Sequence, residues 1–328
     1  MDPLSQVLRS LRLRGSFYAA WDLGAPWGLS FRSARFAPFH YVEAGEMWLI
    51  TAAGDRIRLD AGDVVVLFDG GGHFLADAPG SRAEPIERVV ARHRGTGPYA
   101  ASSHVGAMRH GGTGRDSRLV CGKFLLDERD GETTVLRQLP PLVHIRRDRT
   151  AALGAFRPTL ALLAQEVRSG EPGAERAAAL LTETLFIHVL RAVLADGEST
   201  AGWLEGLRDP QIGAALAAIH DEPERAWTLA TLARRAGLSR SVFAERFHTR
   251  LGAPPMTYLA RCRLRLAARW LRETQLSISE VLHRTGYGSP AAFHRAFKRQ
   301  YRVSPREYRQ RELRSARDVA PPRRRTRV

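Results

Sequence analysis

Two sets of residues, about fifty positions apart near the end of the chain, have side chains suited to reading DNA. They are Arg240, Ser241, Ala244, Glu245 and His248, followed by Pro290, Ala291, His294, Arg295, Lys298 and Arg299. Arginine can bind two acceptors of guanine, a carboxylate can accept from the cytosine amine, and small or hydroxyl side chains can contact other base edges. These groups read a sequence only if one helix face presents them together.

The residue types predict different roles within the two sets. We expect Arg295 to make a bidentate contact to guanine and Glu245 to accept a hydrogen bond from cytosine. Ser241 and His248 are expected at base edges or phosphates, and other basic residues at phosphates, which position a protein without specifying sequence. Those phosphate contacts are predicted for Arg240, Lys298 and Arg299. For any single residue the alternative is a solvated helix face.

An internal repeat with an offset of 50 residues surrounds both sets. Ser239, Phe243, Phe247, Pro255 and Tyr258 align with Ser289, Phe293, Phe297, Pro305 and Tyr308, and Gly237 aligns with Gly286 after a slip of one. Each copy predicts a helix, a glycine turn, a serine-capped second helix and a proline-started helix. Because the paired phenylalanines are four residues apart, they share one buried face, which Val242 and Leu251 are expected to extend.

The repeated layout predicts two helix-turn-helix units, at about 228–250 and 278–300, which place a second helix in the major groove. A linker helix from about Pro255 to Glu273 joins them and carries several arginines. These are Arg261, Arg263, Arg265, Arg269 and Arg272. A helical bundle without DNA contact is the alternative.

The positive charge of the chain is concentrated in the same region. The formal net charge is +16, and residues 1–200 hold 24 basic and 23 acidic residues, whereas residues 201–328 hold 26 and 11. A neutral part followed by a basic part predicts a sensing or assembly domain joined to a domain that binds a polyanion.

The first half of the chain predicts strands and then helices. Residues 15–145 contain short apolar stretches separated by Gly, Asp and Pro, which is typical of a small barrel or sandwich. Helical periodicity begins near residue 150. A mostly apolar helix over 174–195, paired with one near 152–168, predicts a dimer contact, the alternative being a helix packed only on its own barrel.

These patterns predict an α+β protein with four segments. A sensor domain is expected over 1–148, a helical dimerisation segment over 149–200, a DNA-binding domain over 205–312, and a disordered basic tail over 313–328. Cys121 and Cys262 are expected to be reduced thiols. No signal peptide and no run of about 18 apolar residues is found, so a cytoplasmic protein without a membrane span is predicted.

The second half of the chain resembles the AraC/XylS family of bacterial transcription regulators. The resemblance rests on WTLATLARRAGLSRSVFAERF (227–247), YLARCRLRLAARWLRET (258–274) and ISEVLHRTGYGSPAAFHRAFKRQYRVSPREYR (278–309). It implies control of transcription by binding double-stranded DNA, with RNA polymerase as a further partner. Arg302 departs from the family pattern, which has glycine there, so the turn must either manage without glycine or adopt another geometry.

The first half is similar to the members of this family that carry a cupin-type ligand-binding domain. The similar segments are FHYVEAGEMWL (39–49), LDAGDVVVLFDGGGHFLAD (59–77), LVCGKF (119–124), LPPLVHI (139–145) and GWLEGLRDPQIGAALAAIHDEP (202–223). The similarity implies a cupin-like β-barrel that binds a small-molecule effector, followed by a helical contact that forms a homodimer.

Two functions of this first domain are weighed. His40, Trp48, Phe68 and His73 are candidates for lining an effector pocket, although they fit an ordinary barrel core equally well. The alternative function is a metal-dependent cupin enzyme fused to a DNA-binding domain. His40 lacks the His-x-His partner of catalytic cupins, and Glu43 with His73 is too small a ligand set. We therefore expect no metal, no cofactor and no enzyme activity. A third hypothesis is an architectural DNA protein with little specificity.

Overall fold

The computed structural model describes most of the chain. The described residues are 2–10, 13–93, 107–126, 139–196 and 203–319. They fall into two compact units. The sheet unit comprises 13–93, 107–126 and 139–196, and the helical unit comprises 2–10 and 203–319. The prediction of an α+β protein, with strands first and an all-helical part afterwards, is confirmed.

Short apolar segments in the sheet unit form eleven strands within the described ranges. They are β1 (Leu13–Gly24), β2 (Gly28–Phe31), β3 (Ala37–Ala44), β4 (Glu46–Thr51), β5 (Arg56–Asp60), β6 (Val64–Leu67), β7 (His73–Ala76), β8 (Glu84–Pro85), β9 (Ala107–Gly111), β10 (Asp116–Leu126) and β11 (Leu142–Ile145). One sheet has the order β11-β6-β3-β10-β1-β9 and the other β5-β4-β7-β2-β8. Pairing is antiparallel except for β1 with β9 and β2 with β8.

The predicted cupin-like β-barrel is not closed over the described residues. Over the described residues the two sheets stay separate, each with its own edge strands. They are held together by apolar side chains from both sheets, such as Trp21 and Leu23 on β1 with Met47 and Leu49 on β4. Packing of facing side chains holds two sheets together without backbone pairing between them. The sheet unit is therefore an open two-sheet assembly with a shared apolar interior.

Four helices accompany the sheets in the described part of this unit, and the last two cover the other face of the six-stranded sheet. The helices of this unit are α2 (Ile86–His93), α3 (Arg147–Ala152), α4 (Phe156–Ser169) and α5 (Ala174–Asp196). Phe186 of α5 packs edge-on against Phe124 of β10, with ring centroids 5.1 Å apart. Arg168 of α4 donates to Asp22 of β1 at 3.0 Å and to Glu43 of β3 at 3.1 Å. Both helices are thus attached to the sheet by apolar and ionic contacts.

Helix α5 is long and apolar enough, by length and composition, to cross a membrane. Its most apolar 18-residue window has a mean hydropathy of 1.6, and half of that window is buried inside the protein. The buried residues include Phe186 and Val189, and the helix packs against α4 and β1. An apolar helix that contacts several neighbours in this way has the pattern of a buried core helix.

The helical unit consists of helices only among its described residues. They are α1 (Pro3–Ser10), α6 (Trp203–Arg208), α7 (Pro210–Asp221), α8 (Leu229–Arg235), α9 (Arg240–Leu251), α10 (Pro255–Glu273), α11 (Ile278–Arg284), α12 (Pro290–Tyr301) and α13 (Pro305–Val319). We call α8 with α9 the first helix pair and α11 with α12 the second helix pair. The linker helix α10 has the predicted bounds.

Helix α1 belongs to the helical unit, although the sequence assigned residues 1–148 to the sensor domain. It packs on α7. Val7 is only 1% exposed, and Pro3 lies beside Gly213, where a Cβ would be in van der Waals contact with the proline ring at 3.6 Å. The sequence pattern offered no sign of this, because an eight-residue amphipathic segment can pack on any apolar surface.

The predicted turns and caps of both helix pairs are confirmed. Gly237 and Gly286 have φ values of +66° and +70°, the left-handed conformation that ends a helix. Ser239 accepts from the Val242 amide, and Ser289 accepts from the Ala292 amide. The first helix of each pair also starts with a capping box. These boxes are Thr228 with Thr231 and Ser277 with Glu280.

Arg302 ends α12 in the left-handed conformation itself, with a φ of +65°. Its counterpart in the repeat is Gly252, which ends α9 with a φ of +67°. The turn therefore keeps the geometry of a glycine turn and accepts a residue with a Cβ. A side chain in this conformation costs about 1 kcal/mol, because Cβ crowds the carbonyl oxygen.

Helix α13 extends to Val319, into the stretch 313–328 that was predicted to be disordered. The segment has almost no apolar residues, but it is rich in Arg and Glu, which are good helix formers. A capping box of Ser304 and Glu307 starts the helix. Residues 320–328 of the predicted tail lie outside the described residues.

We predict that Arg302→Gly raises the free energy of unfolding of the helical unit by about 1 kcal/mol, because glycine adopts this φ without crowding. The converse change in the first copy, Gly252→Arg, should lower it by a similar amount. Urea denaturation followed by helical circular dichroism measures both. A decrease for Arg302→Gly would show that the arginine side chain contributes more than its backbone strain costs.

Candidate DNA-binding surface

An aromatic cluster under each helix pair sets the orientation of its second helix. Phe247 of α9 meets Tyr258 of α10 edge-on at 5.6 Å, and Phe297 of α12 meets Tyr308 of α13 edge-on at 5.5 Å. The same contact thus recurs at the repeat offset. In both helices the two phenylalanines are fully buried, so the opposite helix face is turned outward.

Ion pairs attach the inner side of α9 to the preceding helices. Arg246 donates to Asp209 at 2.5 Å and to Gln211 at 2.9 Å. Asp209 is 5% exposed and also accepts from two backbone amides at the start of α7. Arg250 pairs with Glu205 of α6. Two of the arginines of α9 are therefore committed to internal contacts.

A buried hydrogen bond joins α7 to α10 beneath the first helix pair. His220 and the Tyr258 hydroxyl are 2.9 Å apart. Burial, with a smaller contribution from the charge of Arg265, lowers the pKa of His220 to about 3. The imidazole is neutral near pH 7, so its Nε2 can accept from the phenol.

The second helix pair is attached through arginines of α10 and α13. Arg272 donates to the Tyr308 hydroxyl at 2.8 Å, and Arg309 donates to the carbonyl oxygens of Leu271 and Leu276. Tyr301, the last residue of α12, donates to the Leu264 carbonyl at 3.4 Å. These bonds hold α12 and α13 against the linker helix.

The arginines of α10 are divided between internal contacts and the surface. Arg263 donates to the carbonyl oxygens of Pro223 and Arg225, both at 2.7 Å. Arg265 contacts the Cys262 sulfur at 2.9 Å, whereas Arg261 is exposed. Some of the basic side chains of this helix therefore hold the unit together.

Most residues of the two predicted base-reading sets are exposed. The exposed members are Arg240, Ser241, Glu245, His248, Pro290, Ala291, His294, Arg295, Lys298 and Arg299. Ala244 is half-buried. Val242, which was predicted to be buried, is 47% exposed, whereas Leu251 is buried as predicted. The exposed members of each set lie on the solvent-facing surface of one helix.

The four predicted effector residues do not form one group. His40 and His73 meet in the interior of the sheet unit, with their Nε2 atoms 2.8 Å apart. Trp48 alternates with the buried Met47 and Leu49, so it lies on the outer face of its sheet. Phe68 packs against Phe186 of α5.

The two histidines form a hydrogen-bonded chain with Cys121. His73 Nδ1 lies 2.9 Å from the Gly71 carbonyl, which can only accept, so this nitrogen carries a proton. His73 Nε2 then accepts from His40 Nε2, and His40 Nδ1 accepts from the Cys121 thiol at 3.1 Å. Burial lowers the pKa of both histidines, most strongly for His40, where His73 adds to the effect.

The hydrogen-bonded chain of His73, His40 and Cys121 does not suit a metal ion. Its outer members, His73 and Cys121, contact opposite nitrogens of the His40 ring, so the three groups do not converge on one point. Glu43 pairs with Arg168 instead. Across the described part of the chain, no group of three or more His, Cys, Asp or Glu is placed to hold a metal.

The residues that position α9 were not predicted from the sequence. Asp209 followed by Pro210 is a helix-start signature that could have been recognised. The pairing of Asp209 with Arg246 spans 37 residues and carries no local signal. The exposure of Val242 was missed because an apolar residue beside Phe243 fits a buried helix face.

Comparisons with known proteins match both units. A family described as cupin matches residues 2–195, and a family described as helix-turn-helix domain matches residues 232–311. An AraC-like transcription regulator of Streptomyces lividans is 33% identical over 94% of this chain and 98% of its own length. The regulator AlkR of Acinetobacter baylyi is 30% identical over 94% and 99%.

A solved structure of the AdpA DNA-binding domain with its target DNA is 34% identical, covering 34% of this chain and 99% of that chain, with a TM-score of 0.31.

The two matched families and the relatives that match over their full length define the class of protein: a DNA-binding transcription regulator with a cupin domain. The chain belongs to the AraC family, as the sequence resemblance implied, and the two relatives named above are transcription regulators.

We predict that Asp209→Ala lowers the free energy of unfolding of the helical unit by about 2 kcal/mol, because it removes a helix cap and leaves Arg246 without its carboxylate. Asp209→Asn keeps a capping oxygen and should lose about half as much. Hydrogen exchange of the α7 and α9 amides measures both. Equal protection in wild type and Asp209→Ala would contradict the positioning role.

Proposed function

We propose that this regulator reads its operator with the outward sides of α9 and α12, placed in two successive major-groove segments. The observation that carries the proposal is the repeat of structure: each helix has a buried phenylalanine pair on one side and an exposed polar set on the other. A helix-turn-helix unit presents its second helix to bases in this manner.

The length of the linker helix supports two contacts on one side of the duplex. Nineteen residues of α10 span about 28 Å at 1.5 Å per residue. Equivalent positions of the major groove recur at about 34 Å. A linker helix of this length is thus compatible with two contacts about one turn of DNA apart.

In this proposal the residues have distinct roles. Arg295 binds guanine and Glu245 accepts from cytosine, since both lie farthest from the buried phenylalanines on their helices. Ser241, Ala244, His248, Pro290, Ala291 and His294 lie beside them at bases or backbone. Arg240, Lys298 and Arg299 hold phosphates.

We predict that Arg295→Ala relaxes specificity at one base pair, with a loss of about 1–3 kcal/mol on the preferred sequence. Lys298→Ala, the matched control on the same helix, should weaken binding to all sequences alike and reduce the salt dependence by about one phosphate contact. Selection from random duplexes, followed by titrations at several salt concentrations, measures both. A uniform loss for Arg295→Ala would make it a phosphate contact, and the absence of any preferred sequence would indicate an architectural DNA protein.

A homodimer formed by α4 and α5 is proposed. The two helices pack on each other, and four residues, 170–173, connect them, so residues at similar distances from the connection lie at the same level. Leu162 is 50% exposed on α4, and Leu180 is 47% exposed on α5. An apolar surface on a helical hairpin fits a second copy of the same hairpin.

We predict that the double variant Leu162→Glu with Leu180→Glu shifts the protein towards the monomer, because four charges would face each other in the dimer. The matched control is Leu313→Glu, a 43%-exposed leucine on α13, which should leave the dimer intact. Sedimentation equilibrium measures both. A monomeric wild-type protein, or a double variant with unchanged mass, would contradict the proposal.

We further propose that the protein contacts RNA polymerase and that it acts in the bacterial cytoplasm.

We also propose that the sheet unit binds a small-molecule effector in its interior. The match to a cupin family supports this proposal. Trp48 and Phe68 are left out of this pocket, because they lie on other faces. The candidate effectors to be tested are the compounds made by enzymes that are encoded by genes beside the bound operators. If none of them changes DNA affinity or the melting temperature of the full chain, the effector proposal fails.

A further inference from the structure

Val242 stands out on the outward side of α9. Its side chain is 47% exposed, whereas the neighbouring Phe243 is fully buried. Along α9, every residue of which is described, Val242 is the one large apolar side chain left exposed. A β-branched residue also has a low helix propensity, because branching at Cβ restricts its rotamers. Neither core packing nor helix stability therefore accounts for a valine here.

Helix geometry places Val242 beside Glu245. Successive residues of a helix are rotated by about 100°, so Glu245 lies opposite the buried Phe243 and Phe247. Val242 is three residues before Glu245 and therefore within about 60° of it on the same side. The side chain that approaches bases next to Glu245 is thus a hydrocarbon.

We propose that Val242 recognises the 5-methyl group of a thymine in the major groove. The inference rests on the proposed function, in which α9 lies in that groove. The thymine methyl is the apolar group among the base edges exposed there, whose other groups are mainly hydrogen-bond donors and acceptors. Valine brings two methyl groups and no polar atom, so contact with a thymine methyl removes apolar surface from water on both molecules.

The second helix pair provides an internal comparison. Ala292 occupies the position of Val242 at the repeat offset of 50 residues and is half-buried. Its side chain ends at Cβ and reaches less far towards a base. Recognition of a methyl group at this helix position is accordingly assigned to α9 and not to α12.

The test uses the full-length chain and an operator selected from random duplexes. Each thymine is replaced singly by uracil, which removes the methyl group and keeps all hydrogen-bonding groups of the base. We expect one such replacement to weaken wild-type binding about fourfold, the effect of one buried methyl group. Val242→Ala should show the same loss on the thymine operator and no further loss on that uracil duplex.

Two further variants complete the test. Val242→Thr keeps one of the branch methyl groups and should retain part of the sensitivity to uracil. Met256→Ala changes a 39%-exposed apolar residue on α10 and should respond to uracil as the wild type does. Circular dichroism checks that each variant is folded, which we expect because both side chains are exposed.

The inference is overturned if every replacement of thymine by uracil changes the affinity of the wild type and of Val242→Ala to the same extent, or changes neither. Failure of the proposed function gives a different result. In that case the selection yields no preferred sequence, and operator and competitor DNA bind with equal affinity. Selective binding that is indifferent to uracil leaves the proposed function standing and removes Val242 from base recognition.

Discussion

The edge-on contact between a buried phenylalanine and the tyrosine of the next helix is the interaction on which the DNA-binding surface depends. Phe247 with Tyr258 and Phe297 with Tyr308 have nearly equal distances and angles. An aromatic pair of this kind restricts both separation and tilt, beyond the area that it buries. Because a helix has only one outward side once its inner side is fixed, the contact also decides which residues can reach a base.

Ionic contacts supplement the aromatic ones, and they engage some of the arginine side chains that give this part of the chain its positive charge. Arg246, Arg263 and Arg309 donate to carboxylate or carbonyl oxygens inside the helical unit. Arginine suits this role because its planar guanidinium carries five donors in fixed directions. Direct contacts with DNA therefore fall to the exposed basic residues, such as Arg295.

Features coded by neighbouring residues were predictable from the sequence. The Ser239 cap and the bounds of the linker helix were predicted correctly, since propensity, capping and periodicity act over a few residues. Contacts between distant residues were not predictable. Asp209 with Arg246, the packing of Val7 on α7 and the separation of Trp48 from His73 depend on how elements meet, for which a single sequence carries no local signal.

The placement of α1 makes the sheet unit an insertion within the helical unit. Among the described residues, 2–10 belong to the helical unit, those between 13 and 196 belong to the sheet unit, and 203–319 belong to the helical unit again. The described part of the helical unit is therefore assembled from two segments that are far apart in sequence, where a simple fusion of domains would use one. A gene fragment starting near residue 201 would encode a DNA-binding unit whose α7 lacks its cover, and an affinity tag fused before residue 2 would be attached to the unit that binds the operator.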